Sequence, residues 1–447
     1  MTAVHLPVVP QRAVDLASLQ AALRESVSGE ARFDRLSRAL YSTDASVYQI
    51  MPLGVVIPRS EPDIIATVRI CQEFRVPLTV RGAGTSQAGQ AVGHGLQLDC
   101  SKYFNAVLEI NAQERWVRVQ PGCVLDDLNS RVQPFGLQFA PDVSTSNRAT
   151  IGGMIGNNSC GSHSIVYGKT VDHVLELKVA LCDGTVMEVG PLTAAELETR
   201  CSQPGEESAR YCIVQSLASK HADEIKSRYP KVLRRVGGYN LDLFLPGGPD
   251  APRAARAYDD QALFNLARLF VGSEGTLGLT LEAKLRLVEL PSAKALAVVH
   301  FSKLLDALAA TPAILKHHPS AVEVLDKYVL DSTRLNAEAS RLRDVIHGDP
   351  GAILVIEFFG RDHTEASERS KSLVKEMARC LFFGFLSTGL PERSAEIGSG
   401  STPRNGAGLI ATDAVDRPRP ARICVSRPPK ECPTMAGRFS SCLIASS

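Results

Sequence analysis

"FAPDVSTSNRATIGGMIGNNSCGSHSIVYG", residues 139 to 168, crowds a Pro–Asp turn, a Ser/Thr run, Gly152–Gly153, Asn157–Asn158 and a closing Tyr–Gly into thirty positions. A turn needs one or two such residues, each for its own backbone reason. So many small hydrogen-bonding residues together suit a long extended ligand with many polar atoms. Two further stretches have the same texture: "VRGAGTSQAG" (80–89) and "VGSEGTLGLT" (271–280).

The stretch at 80–89 follows the apolar run "VPLTV", as phosphate-binding glycine loops do. No Lys follows its glycines, so it is not a nucleoside triphosphate P-loop. A dinucleotide fingerprint needs a helix after the glycines and an acidic residue about 20 positions on. "GQAVGHGLQLDCS" leaves no room for that helix, and the loop reads as strand, loop, strand. Backbone N–H groups in such a loop can still form a nest around an anion. At roughly 1.5–3 kcal/mol per charge-assisted bond, three or four would hold a pyrophosphate. On this loop alone, a plain glycine-rich turn stays open.

Around these segments the pattern is α+β. Residues 14–41 have helical spacing. "GVVIP" (54–58) reads as a strand, and "SEPDIIATVRICQEF" as an amphipathic helix capped by Ser60. "GLQLDCS" (95–101), "AVLEINAQERWVRVQPG" (106–122) and "VLELKVALCDGTVMEVG" (174–190) read as strands and hairpins, with turns at Asn111–Gln113 and Asp183–Gly184. "VLDDLNSRVQPFG" is a short helix between them. Residues 192–236 are mostly helical, and strand character returns at 269–290. A second α+β unit starts near 292, with "GAILVIEFFG" (351–360) as a strand followed by the helix "TEASERSKSLVKEMARC". From about Leu381 the periodicity gives way to Ser, Pro, Arg and Gly. That stretch reads either as a tail too polar to offset its ordering entropy or as an out-of-frame end to a longer domain.

The chain of 447 residues has room for two or three domains. Its hydrophobic share of 44% and charged share of 22% are those of a soluble protein. A formal net charge of +1 provides no basic field for nucleic acid. No apolar run approaches the roughly 20 residues of a transmembrane helix, and the N-terminal residues lack a signal-peptide pattern. These features imply a cytoplasmic location, or one peripheral to the inner membrane. The eleven cysteines are dispersed without a CxxC pair, and the ten histidines show no HxH or HExxH spacing. They read as free thiols and ordinary histidines, with no metal site.

The three segments, in this order, resemble those of the vanillyl-alcohol-oxidase/para-cresol-methylhydroxylase superfamily of FAD proteins. The nearest resemblance is to FAD-linked dehydrogenases of the glycolate oxidase, D-lactate dehydrogenase and D-2-hydroxyglutarate dehydrogenase type. "STSNRATIGGMI" and "NSCGSHSIVYGKTVDHV" are most similar to long members that fuse the flavin domain to an iron–sulfur domain. The resemblance covers roughly residues 40 to 375. It implies a two-lobed FAD-binding domain of the para-cresol-methylhydroxylase type at 47–291, carrying a helical insertion at 192–250. An N-terminal helical segment (1–46) precedes it. An incomplete α+β cap domain (292–380) and the irregular stretch 381–447 follow.

Carried over residue by residue, the resemblance implies that Arg81, Gly82, Ala83, Gly84, Thr85 and Ser86 wrap the FAD pyrophosphate. Pro141, Asp142, Thr145, Ser146 and Arg148 continue along the cofactor. Gly152 and Gly153 let the backbone approach it, because a side chain there would occupy ligand space. Asn157, Ser159, Gly161, Tyr167 and Gly168 line the same groove, and Glu274, Gly275, Leu277 and Gly278 close it near the adenosine end. Thr85–Ser86 stand where related oxidases carry an attachment His. Noncovalent FAD is therefore expected, with His163 and Cys160 the nearest residues of attachment type.

In relatives, hydride passes from the α-carbon of a 2-hydroxy acid to the flavin while the protein orients substrate and charge. The substrate-binding half is not clearly written in this chain. The candidates are Arg234, Tyr239 and Asn240 in "RRVGGYNLD". The chain is thus expected to be an FAD-dependent 2-hydroxy-acid dehydrogenase delivering electrons to a quinone, cytochrome or iron–sulfur acceptor. The alternatives are a flavin-binding remnant without turnover and an oxidase using O2.

Overall fold

The computed structural model describes residues 14–245, 264–336, 340, 343–382 and 425–426. Helix α1 (Leu16–Ser26) starts at Asp15, whose carboxylate accepts from the Ser18 N–H, and it buries Leu19 and Leu23, four residues apart on one face. There follow β1 (Glu30–Arg32), α2 (Arg35–Leu40), β2 (Gly54–Ile57), α3 (Glu61–Phe74), β3 (Leu78–Arg81) and β4 (Leu96–Asp99). They form a sheet of order β1-β2-β4-β3, with β1 antiparallel to β2 and the rest parallel. Every position of β2 and β4 is buried, as expected of parallel strands covered on both faces. Leu19 and Leu23 share this core with Ile64 and Val68. Within the segment expected to be helical, α1 and β1 thus pack into the first lobe. Ser60 is the cap residue of α3 but makes no side-chain cap bond. Instead Asp63 reaches back to the Arg59 N–H at 2.8 Å and to Ser28.

The second lobe holds β5 (Val107–Asn111), β6 (Trp116–Val119), α4 (Leu125–Val132), β7 (Leu137–Gln138), α5 (Ile151–Asn157), α6 (Ser164–Tyr167), β8 (Val174–Ala180) and β9 (Val186–Val189). It continues through β10 (Pro191–Leu192), α7 (Ala194–Ser202), α8 (Glu206–Lys220), α9 (Ala222–Arg228), β11 (Phe264–Asn265), α10 (Ala267–Phe270), β12 (Leu279–Arg286) and β13 (Val288–Glu289). Its main sheet is antiparallel, in the order β5-β6-β12-β8-β9. The hairpins turn where expected: Asn111 accepts from the Glu114 N–H at 2.8 Å, and Gly184 takes φ +77°. Strand β12 alternates, burying Leu279, Leu281, Ala283 and Leu285. It begins ten residues later than the strand expected from 269. Gly272, Glu274 and Gly275 all have positive φ, which an extended strand excludes.

The third unit comprises β14 (Ala293–Phe301), α11 (Leu304–Leu315), β15 (Ala321–Asp326), α12 (Lys327–Ser332), β16 (Ala352–Gly360) and α13 (His363–Phe382). With β17 (Val425–Ser426) it forms an antiparallel sheet of order β15-β16-β14-β17. One face buries Val299, Leu354, Ile356 and Phe358 with Ala307 and Ile314 of α11 and Leu373 of α13. The other face is apolar at one end, around Leu296, Val298, Ile353 and Val355. At its other end it carries Lys294, Glu357 and Phe359, which point at the second lobe. Apart from residues 381–382 and 425–426, the stretch 381–447 lies outside the described residues. Among the described residues no helix is long and apolar enough to cross a membrane.

Candidate functional site

A cavity of about 360 Å³ lies between the two N-terminal lobes, and all three glycine-rich segments line it: Gly84 from the first, Gly153 from the second and Gly275 from the third. The first wall is the loop leaving β3, which runs to β4 without a helix. Ala45 N–H donates to the Gly84 carbonyl at 2.9 Å. The Arg81 guanidinium donates to the carbonyls of Ala91 at 2.9 Å and Thr43 at 2.8 Å and lies 5.4 Å from the Tyr41 ring centroid. The Arg81 side chain thus fastens the loop to its neighbours.

The second wall is α5. Thr150 caps it, accepting from the Gly153 N–H at 3.3 Å, and its hydroxyl occupies the space a Cβ at Gly82 would need. The third segment is clasped to the end of this helix: the N–H groups of Gly272 and Glu274 donate to the carbonyls of Ile155 and Gly156 at 2.9 and 3.0 Å.

The character of the walls tests what the cleft can hold. Eight of the lining residues are glycines and eight are Ser or Thr, against two charged residues, Arg81 and Glu274. Among the described residues, none of the amide N–H groups from Ala83 to Ala88 donates to another protein group. A Cβ at Gly153 would meet only the Thr150 hydroxyl, at 3.2 Å, and one at Gly275 would meet nothing within 4 Å. A cleft with unoccupied amide donors and walls rich in glycine fits an elongated, diphosphate-bearing ligand.

Of the residues singled out in the sequence, Arg81, Gly82, Ala83, Gly84, Thr85 and Ser86 line the cavity. So do Thr145, Gly152, Gly153, Asn157, Ser159, Glu274, Gly275 and Gly278. Pro141, Asp142, Ser146, Arg148, Gly161, Tyr167, Gly168 and Leu277 lie outside its lining. Pro141 is buried and Arg148 exposed. The Ser146 carbonyl accepts from the Asp126 N–H, and Leu277 packs against the second-lobe core. Gly161 backs onto the Asp142 carbonyl, and Gly168 turns with φ +73° beside the Asp172 carboxylate.

The three weaker candidates separate. Asn240 is fully buried and donates to the carbonyls of Arg268 and Val271 at 3.0 and 2.7 Å, a pin between loop and helix. Tyr239 shares a 2.9 Å hydrogen bond with Thr276. Arg234 donates through Nε to Ser164 Oγ at 2.7 Å and through Nη2 toward the Ser162 carbonyl at 3.5 Å. It is an exposed cation on the side of the cleft that turns toward the third unit.

Beyond Cys160, which lines the cavity, that side continues into a buried polar cluster. His163 Nδ1 lies 2.5 Å from Asp142 Oδ2, and Nε2 lies 2.6 Å from Glu357 Oε1. Burial opposes a charge on the imidazole, but the hydrogen bonds to Asp142 and Glu357 outweigh it and raise its pKa to about 9. Glu323, on β15, has its pKa raised by burial and by the neighbouring Asp142 charge. Burial likewise raises the Cys160 thiol. Among the described residues, no group of three or more His, Cys, Asp or Glu side chains could hold a metal ion.

Sequence reading missed two parts of this geometry. Gly156 lines the cleft one helical turn after Gly153, and the i, i+3 rule could have found it. Glu357 reaches His163 across 194 positions, and no local pattern announces that.

Comparison with known proteins decides the family. Residues 52–190 match the FAD binding domain family, and residues 290–389 match the C-terminal domain of FAD linked oxidases. The chain belongs to the FAD-linked oxidases of the para-cresol-methylhydroxylase type. Its cofactor is FAD. The second match continues to residue 389, past Leu381, where the texture of the sequence changes. D-2-hydroxyglutarate dehydrogenase of Pseudomonas putida is 35% identical over 366 residues, covering 80% of this chain and 35% of that protein. The enzyme of the same name from Escherichia coli is 33% identical over 79% of this chain and 34% of its own length. Glycolate oxidase subunit GlcD of Bacillus subtilis is 31% identical, over 68% of this chain and 52% of that one. The chain therefore spans about a third of the length of the dehydrogenases it matches. The solved structure of alkyldihydroxyacetonephosphate synthase shares the fold, with a TM-score of 0.55 at 17% identity over 84% of this chain and 60% of the other.

Proposed function

We propose that this FAD-linked oxidase chain holds FAD noncovalently in the cleft between its two N-terminal lobes. It serves the oxidation of a 2-hydroxy acid of the D-lactate, D-2-hydroxyglutarate or glycolate class, and the electrons pass to a separate acceptor. The observation that carries this reading is the convergence of Gly84, Gly153 and Gly275 on one cavity. The substrate class is supported by the names of the relatives.

Bound FAD supplies the electron sink for the two electrons and the hydrogen leaving the substrate α-carbon. The chain supplies the rest. The amides from Ala83 to Ala88, with the hydroxyls of Thr85 and Ser86, hold the diphosphate. The glycine faces of α5 and of residues 272–278 let the remainder of the cofactor lie against backbone. Arg234 takes the substrate carboxylate, its guanidinium being oriented by Ser162 and Ser164 and open toward solvent. Noncovalent binding is supported at both attachment-type residues. Both His163 nitrogens are engaged by carboxylates. The Cys160 thiol is kept protonated by burial, and a thiol is a far weaker nucleophile than a thiolate.

The test is expression of the chain with FAD, followed by its visible spectrum and anaerobic titration with each 2-hydroxy acid. Yellow protein that releases intact FAD on denaturation and bleaches with one of the acids supports the proposal. The alternative reading is an FAD-binding unit without turnover. Colour without bleaching selects that reading.

A further inference from the structure

The Asp142–His163–Glu357 contact is the best-built polar feature outside the cleft. Its two halves come from different units. Asp142 and His163 belong to the second lobe, and Glu357 belongs to β16 in the middle of the C-terminal sheet. His163 and Glu357 are 4% and 3% exposed, so the bond between them is shielded from water, while the Asp142 carboxylate on the other nitrogen is half-buried. An imidazole with a carboxylate on each nitrogen needs both N–H groups, which only the protonated ring has. The contact is therefore a charged clamp of carboxylate, imidazolium and carboxylate.

Its surroundings favour one geometry. Phe359 stacks on the His163 ring with centroids 5.1 Å apart and planes 17° from parallel. Ser320 supports Glu357 from the start of β15, its N–H donating to the Glu357 carbonyl at 2.7 Å and its hydroxyl lying 3.4 Å from Oε1. Lys294 of β14 lies 3.7 Å from the same carboxylate. On the other side, Asp142 also accepts from Ser162 Oγ at 2.9 Å and from the His163 N–H at 3.2 Å. Gly161 is pressed against the Asp142 carbonyl so closely that a Cβ has no room. Cys160 is the next residue and lines the cleft. Force on the imidazole is thus carried along three residues of tightly packed backbone into the wall of the cavity.

We propose that His163 is a positioning residue: it locks the C-terminal sheet to the Cys160 wall of the FAD cleft through Asp142 and Glu357, so that the shape of the cleft depends on the seating of that sheet. The inference deepens the FAD reading and rests on it only for its spectroscopic arm.

E357A removes the C-terminal side of the clamp and leaves His163 with Asp142. Hydrogen exchange on the full chain is expected to show residues 159–168 and 352–360 losing protection together, by at least about tenfold in exchange rate, with residues 107–119 unchanged. In FAD-loaded protein the visible flavin band changes shape in E357A, and E357Q, which retains an acceptor for Nε2–H, restores band and protection. H163F, which keeps the ring stack but neither bond, gives the E357A pattern; where it fails to fold, E357A and E357Q decide the matter. Loss of protection confined to 352–360, or no change in either segment, overturns the proposal. Wild-type protein that binds no FAD refutes the FAD reading, while the exchange arm still reports on the clamp.

Discussion

Gln90 Nε2 stands 3.5 Å from Glu274 Oε1, so the first and third glycine-rich segments meet although 184 positions separate these two side chains. At that distance the hydrogen bond is weak. Local backbone holds the segments in place: the Arg81 staples on one side, and the clasp of Gly272 and Glu274 on α5 on the other. Q90A is accordingly expected to shift the melting temperature by no more than about 1–2 °C, as ordinary surface substitutions do, and to leave flavin content unchanged.

Arg81 gives a sharper case. R81M strands the carbonyls of Thr43 and Ala91, at roughly 1.5–3 kcal/mol for each charged hydrogen bond lost. FAD affinity should fall by about tenfold or more because the loop is no longer fastened. R81K keeps the charge but cannot reproduce two hydrogen bonds from one planar fork, so equilibrium dialysis should show no recovery. Full recovery in R81K would mean that charge, and not stapling, is what matters.

Asn240 is expected to behave as structure and not as chemistry. N240A removes the side-chain hydrogen bonds to the Arg268 and Val271 carbonyls, costing about 1–3 kcal/mol. Thermal unfolding should drop by several degrees while bound flavin per protein stays at the wild-type level. Flavin loss at temperatures well below unfolding would instead place this residue in the site.

The clamp has a pH signature with a definite sign. His163 is raised from an ordinary value near 6.5 to about 9 in the folded protein, so the stability it contributes is fully present below about pH 6.5 and lost as pH rises through 9. Asp142, Glu357, Glu323 and Phe359 face the ring or its partners, with Arg234 and Lys294 the nearby fixed cations. Melting temperature should fall from pH 6.5 to 9.5 more steeply in wild-type protein than in H163F. Equal slopes would mean that the imidazole is not charged in the folded state.

Arg234, as carboxylate anchor, makes a kinetic prediction. If turnover is seen, R234M should raise KM by at least about tenfold, the scale of one charge-assisted contact, with a smaller change in kcat. A lowered kcat at unchanged KM would move the carboxylate elsewhere.

Much of this was legible before any coordinates, for a physical reason. A cofactor that lies against backbone demands small residues in series, so Gly82–Gly84, Gly152–Gly153 and Gly275 mark their segments in the sequence itself. Strand periodicity and turn residues such as Asn111 and Gly184 placed both N-terminal sheets. Three things were not legible. The start of β12 lies later than the sequence suggests because Leu269–Phe270, as apolar as a strand, close helix α10, and the left-handed Gly272, Glu274 and Gly275 follow. The strand β1 within the expected helical segment was not legible because it is three residues long and gains its strand character from pairing with β2. The Glu357–His163 contact depends on how two units dock, which no window of sequence contains. Asp142 and Tyr167, expected along the cofactor, also contact that histidine.

The central claim is that the glycine faces of α5 and its neighbours shape a cleft for FAD. It is tested most directly by comparing flavin bound per mole of protein in wild type and in G153L after saturation with FAD and desalting. Gly153 lines the cleft and a Cβ there would meet only the Thr150 hydroxyl, at 3.2 Å, so the longer Leu side chain competes with the cofactor for the cleft. The account predicts near-stoichiometric FAD in wild type and at least about a tenfold loss in G153L, with apo-protein melting temperatures matching. Equal flavin in both proteins, or a colourless wild type at saturating FAD, would contradict it.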